Sequence, residues 1–179
     1  MAGGQRGQRY TCLGAGNAML NIGGGEGNAA VHAGMLDASS VTFAAAGNRI
    51  NFNHDDASYL FSAAISGAGF ITHSGSGATV LTGANSYAGT TTINAGSLYI
   101  NGNQSAATGL VTVKSGGALG GTGIIGGNVV VDNGGAVNPG NLGIDAGTLT
   151  IAGNLALDGG STLNYSFGKA NVPGSPSTI

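Results

Sequence analysis

Charge is scarce in this 179-residue sequence: Asp, Glu, Lys and Arg together make up 7% of it, against roughly 25% in an ordinary globular domain. Tryptophan is absent, proline occurs three times, cysteine once, and five lysines and arginines are spread over the whole chain. Each shortage removes a class of answer. Without a dense basic face, nothing displaces counterions from phosphates, so nucleic acid is excluded as a partner. The same shortage excludes polybasic attachment to an anionic membrane surface. Three prolines and no Gly-X-Y period exclude collagen. The lone Cys12 can form neither an internal disulfide nor a thiolate metal site. No apolar run approaches the ~20 residues of a membrane-spanning helix, so no membrane insertion by this segment is expected. The stretch from Thr11 to Gly25 is too broken by Gly and Asn to be a signal-peptide core. Low charge also leaves the 41% hydrophobic content free to collapse, which predicts order instead of a solvated coil.

What the sequence has in quantity is glycine, 37 residues, placed between short β-prone bursts. Period-2 alternation is clean in several of them. Leu149 and Ile151 alternate with Thr148 and Thr150, Leu155 and Leu157 with Asn154 and Ala156, and Leu163, Tyr165 and Phe167 with Thr162, Asn164 and Ser166. In a strand such sets fall on opposite faces. Leu98, Ile100, Val111, Val113, Val129, Val131, Leu149, Ile151, Leu155 and Leu157 are therefore expected to point inward. Thr112, Val130, Thr150 and Ala156 belong on the other face. A turn phrase recurs: Asn94-Ala95-Gly96-Ser97-Leu98, Ser115-Gly116-Gly117-Ala118-Leu119, Asn133-Gly134-Gly135-Ala136-Val137. Most connections are too short for the ~10–12 residues of a βαβ crossover. Hairpins are signalled by Asn101-Gly102 and Asn133-Gly134. The repeated corner phrase instead favours a coil in which each strand pairs with its equivalent one turn later. The expected fold is all-β: a right-handed, single-stranded parallel β-helix (a solenoid), with about six rungs of ~20 residues over residues 40–168.

From Gly83 a longer phrase runs Gly83-Ala84-Asn85-Ser86-Tyr87-Ala88-Gly89-Thr90-Thr91-Thr92-Ile93-Asn94-Ala95-Gly96-Ser97-Leu98. It resembles the passenger-associated transport repeat of bacterial autotransporters, whose pattern is G-x-N-x-Y-x-G-x-T-x-I-x-x-G-x-L. Gly116–Val129 and Val137–Asn141 are similar to the same family. The resemblance covers roughly residues 40–168 and implies a secreted β-helix without naming an activity. Family members carry a signal peptide and a C-terminal outer-membrane β-barrel. Neither is present, so the chain is expected to be an internal piece of a longer parent. Its partners would be the remaining rungs and outer-membrane β-barrel of that parent, with a host surface glycan or protein as a possible ligand. The expected place is the cell surface or extracellular space of a Gram-negative bacterium. Expected organisation is a poorly ordered segment at 1–25, rungs at 26–168 with the repeat at about 83–100, and an unstructured tail at 169–179.

Motifs for chemistry are few. Gly121-Thr122-Gly123-Ile124-Ile125-Gly126 matches a dinucleotide fingerprint, but Gly127 and Val129-Val130-Val131 follow it where a helix would have to open. No cofactor and no catalytic residue is expected. His54-Asp55-Asp56 is the densest polar cluster and a weak ligand-contact candidate, although adjacent carboxylates in an extended chain point to opposite faces. His32 and His73 read as surface or turn histidines. Tyr99, which alternates with Leu98 and Ile100, is the best single contact residue. The reading that follows is a non-catalytic stalk displaying or helping export surface domains. The alternatives are an adhesin binding glycan or protein along the coil and, behind it, a polysaccharide-degrading enzyme.

Overall fold

The computed structural model describes residues 10–141 and 146–165. The chain winds through successive rungs. The first holds β1 (Tyr10–Leu13) and β2 (Met19–Gly23), and an irregular strap, residues 24–39, leads out of it. The second holds β3 (Ser40–Phe43), β4 (Arg49–Asn53) and β5 (Tyr59–Phe61). The third holds β6 (Ala64–Gly67), β7 (Phe70–His73) and β8 (Ala78–Leu81). The fourth holds β9 (Thr91–Ile93), β10 (Gly96–Ile100) and β11 (Asn103–Gln104). The fifth holds β12 (Val111–Val113), β13 (Gly117–Gly121) and β14 (Ile124–Ile125). The sixth holds β15 (Val129–Val131), β16 (Ala136–Pro139) and β17 (Thr150–Ile151). A seventh holds β18 (Leu155–Leu157) and β19 (Thr162–Leu163).

Stacking these rungs gives sheets of seven (β2 to β18), six (β5 to β19), three (β1-β3-β6) and three strands (β11-β14-β17). Every strand pairing among the described residues is parallel, and the antiparallel contact is an isolated bridge, Gly121 to Gly140. Seven strands at ~4.8 Å make a rod about 30 Å long. The Asn-Gly pairs are therefore corners of a coil, not hairpin turns. The fold is a parallel β-helix solenoid, as the repeated corner phrase implied.

One expectation about extent needs correction. The ladder begins before residue 26: β1 and β2 both lie inside the segment expected to be poorly ordered, and β2 pairs with β4 from Met19 to Gly23. Its strand signal, Met19-Leu20-Asn21-Ile22, is short and hidden by flanking Gly and Asn. The expected tail at 169–179 and Phe167 lie outside the described residues.

The core is a set of columns, because parallel in-register pairing puts each inward residue on the one below it. In the seven-stranded sheet one column runs Ile22, Phe52, His73, Ile93, Val113, Val131, Leu157. The neighbouring column runs Leu20, Ile50, Ile71, Thr91, Val111, Val129, Leu155. Leu98, Ile100, Val111, Val113, Val129 and Val131 are buried as expected, while Thr112 and Val130 are half-buried. Leu155 and Leu157 are 39% and 46% exposed, contrary to expectation. Their alternation is that of a core-facing strand, but β18 pairs with β15 alone, so these leucines are packed from one side. Leu163 is half-buried for the same reason, and Tyr165 is exposed.

Candidate functional site

The passenger-type phrase itself turns out to be architecture. Asn85 is 1% exposed and its Oδ1 accepts the Ile65 backbone N–H at 2.8 Å. Its own N–H donates to the Asn103 carbonyl at 3.2 Å. Asn85 thus bridges the place where the β1-β3-β6 sheet stops and the β11-β14-β17 sheet begins. Tyr87 is buried, hydrogen-bonded to Thr91 Oγ1 at 2.6 Å and set edge-on to Phe43. Gly96 has φ +61°, a left-handed corner that a side chain would strain. Ile93 and Leu98 are fully buried. Each of these positions is occupied by packing or backbone bonding, which leaves none of them for a ligand. Asn85→Ala is expected to cost about 1–3 kcal/mol, the penalty of orphaning a buried backbone N–H. Urea unfolding checks this, and a change below about 0.5 kcal/mol, the size of a neutral surface substitution, would show that water replaces the amide.

Tyr99 is also structural, which corrects its reading as a contact residue. It is 7% exposed despite facing away from Leu98 and Ile100. Tyr99 pairs with Val80 on one side and Gly120 on the other. A Cβ at Gly120 would lie 2.6 Å from Tyr99 Cε1, so the ring lies across the bare glycine of the next rung. The clue was Gly120, one turn later.

Chemistry concentrates around β4, its following corner and the strap. His54 and His73 are fully buried, so His73 is not a surface or turn histidine. The alternation Ile71/His73 places it inward. A polar chain crosses the core: His54 Nε2 lies 2.7 Å from Thr79 Oγ1, His73 Nε2 lies 3.1 Å from the same oxygen, and His73 Nδ1 lies 2.9 Å from the Ala95 carbonyl. A carbonyl accepts only, so His73 Nδ1 carries its proton and its Nε2 accepts from the Thr79 hydroxyl. The Thr79 oxygen then accepts from His54 Nε2–H. His54 Nδ1 is left as a buried lone pair with no donor. Burial pushes the pKa of both rings down, His73 to about 4; for His54 the nearby Asp56 and Asp55 partly oppose the burial.

The corner after β4 brings Asp55 and Asp56 to the same place. Residues 54–58 are not extended strand, so the opposite-face expectation for adjacent residues does not apply. His32 Nδ1 lies 2.9 Å from Asp56 Oδ1 and 3.1 Å from Asp55 Oδ1. Asp56 Oδ2 accepts the Ala33 N–H at 2.7 Å and lies 3.4 Å from His54 Nδ1. The hydrogen bond to Asp56, then the charge of Asp55, raises the His32 pKa. The Ala33 N–H, then His32, lowers that of Asp56. His32 could not be placed from sequence, because the strap has no periodicity that ties it to a rung.

Beside this cluster is a groove of about 280 Å³, lined from the strap by Ala33, Met35 and Leu36 and from the rung by Asp56, Ser58, Tyr59 and Leu60. Met35 is 94% and Leu60 64% exposed. The strap is held by Tyr59 OH donating to the Gly34 carbonyl at 3.1 Å, by Asn53 Nδ2 donating to the Gly25 and Asn28 carbonyls, and by an Arg49–Glu26 ion pair.

Residues 71–100 match the passenger-associated-transport-repeat family. Over 150 residues the chain is 65% identical to the adhesin BmaC autotransporter of Brucella suis biovar 1 (strain 1330), an alignment covering 84% of this chain and 4% of that protein. The chain thus spans a small part of its relative's length. No solved structure matches it significantly. With its motif residues packed into the rungs and every ladder among the described residues parallel, the chain carries the transport repeat of autotransporter passengers and is homologous to a segment of one of them.

Proposed function

We propose that this segment is a non-catalytic, extracellular β-helix stalk within a longer autotransporter passenger, holding other domains away from a Gram-negative cell surface. The observation that carries the reading is the column structure. From Ile22 to Val131 the inward positions stack rung on rung through parallel ladders. Such a rod is stiff because each rung is fixed by both neighbours. The motif that defines the family is consumed by that stacking. The remaining rungs and an outer-membrane β-barrel of the parent chain are the partners this role requires.

A second reading, adhesin, is favoured by one feature: the groove between strap and rung, with Met35 and Leu60 exposed beside it. The relative is itself named an adhesin. Replacing residues 10–165 in the parent by seven rungs of an unrelated parallel β-helix separates the two. A stalk predicts that surface display and host-cell binding both persist. Loss of binding with display intact would overturn the stalk reading and assign recognition to this segment.

A further inference from the structure

We propose that His32, Asp55 and Asp56, backed by the buried His54, bind a divalent transition metal of the zinc class, and that the ion clamps the strap to the second rung. Three ligand atoms, one each from His32, Asp55 and Asp56, lie within 4.8 Å of one another. Around a tetrahedral ion with bonds of ~2.0–2.2 Å, neighbouring ligand atoms sit ~3.3–3.6 Å apart. The separations of 2.9 and 3.1 Å between His32 Nδ1 and the two carboxylates are slightly tighter, so a small opening of the exposed His32 ring admits the ion.

Two surface carboxylates beside a histidine would not by themselves make a site. The second observation is His54. Its side chain is fully buried, its Nδ1 has no hydrogen-bond partner, and that atom faces Asp56 Oδ2 at 3.4 Å. The Thr79–His73–Ala95 chain fixes the His54 proton on Nε2, which leaves Nδ1 as an acceptor with nothing to accept from. A lone pair held without a donor in the core is destabilising, and a metal ion held at Asp56 gives it a Lewis acid to bind. The hydrogen bond from His54 Nε2 to Thr79 is the kind of outer contact that fixes tautomer and ring orientation in metal-binding histidines. A Cβ at residue 77 would come within 2.6 Å of His54 Nδ1, so glycine there keeps this face of the ring clear. Mixed imidazole and carboxylate donors select zinc-class ions over calcium or magnesium, which take all-oxygen shells.

The ligands come from two segments: His32 from the strap, the others from the corner after β4. An ion therefore joins the strap wall of the groove to its rung wall. The test titrates the untagged 179-residue chain with zinc chloride by calorimetry and repeats it with cobalt(II) by visible absorption. One equivalent is expected, removable by EDTA, with the tetrahedral cobalt bands. By NMR the ring signals of His32 and His54 should respond while those of His73 hold. His32→Ala and Asp55→Asn change exposed side chains and leave the core intact; each should weaken binding at least tenfold, as ligand-shell losses do. Asp158→Asn, an exposed carboxylate elsewhere, should leave binding unchanged. Absence of stoichiometric binding, equal affinity in His32→Ala, or no response of His54 would overturn the proposal.

Discussion

Phe52→Ala should destabilise the chain by about 3–5 kcal/mol, the usual cost of emptying a large buried aromatic site. Phe52 is fully buried, meets Phe61 edge-on at 5.3 Å between centroids and stacks on His73 at 6.3 Å. In its column it separates Ile22 of the first rung from His73 of the third. The backbone around it is locked in two parallel ladders, so the cavity cannot close by moving one strand without straining both neighbours. In a stacked fold stability is local to a rung and its neighbours. The loss should therefore appear as faster amide exchange in β2, β4 and β7, while β12 and β15 keep their protection. Leu60→Ala is the control: it lies on the next strand but is 64% exposed, and should stay within about 0.5 kcal/mol of the parent. Equal urea midpoints for the two variants, or exchange raised uniformly along the rod, would sink the column picture.

How much of this was legible in the sequence depends on whether a residue's environment is set within its own strand. Leu98 and Ile100, Val111 and Val113, and Val129 and Val131 declare their side by alternation alone, and the structure buries all six. Alternation fails where the deciding neighbour lies a rung away. Tyr99 looks exposed from its own strand and is covered because residue 120 is glycine. Leu155 and Leu157 look buried from theirs and are exposed because the described ladder stacks on one side of them only. His73 alternates with Thr72 on the same side as Ile71, so its inward position is legible from its strand, although residue type alone points outward because histidine is only intermediate in its tendency to be buried.

The polar cluster illustrates a second limit. His54, Asp55 and Asp56 stood out as a group in the sequence, yet the group's partner was not visible. His32 arrives through a strap with neither strand nor helix period, and one rung here takes 30 residues from Leu20 to Ile50 where another takes 18 from Val111 to Val129. A constant period would have predicted which residues meet; a variable one hides them. The passenger-type phrase shows the converse. Its Asn, Tyr, Thr and Gly are far apart in chemistry but each is used in joining or turning the rungs, so the phrase survives as a recognisable string while saying nothing about a ligand.

Acidification should weaken the fold through His73, and by a large amount for one side chain. Burial among Phe52, Ile93 and the His54 ring holds its pKa at about 4, below the ordinary 6.5. The sign follows from linkage. Between these values the unfolded chain binds a proton that the folded chain refuses, so stability is complete above about pH 6.5 and is lost as the pH falls towards 4. The full difference is on the order of 3 kcal/mol, taking about 1.4 kcal/mol for each pH unit of displacement. His54, also lowered by burial, acts in the same direction; Asp55 and Asp56, the carboxylates that face it, oppose part of that effect. A charged His73 would also lose its acceptor at Nε2, and the Thr79 hydroxyl could no longer donate to it. Urea midpoints measured in EDTA from pH 7.5 to 4.5 should fall steeply below 6.5. In His73→Gln an amide can still donate to the Ala95 carbonyl but nothing titrates at that position. This variant should start less stable at pH 7.5 and then decline with a clearly shallower slope. A parent chain whose midpoint is flat from 6.5 to 4.5, or a variant that keeps the full slope, would show that the buried ring admits its proton without cost.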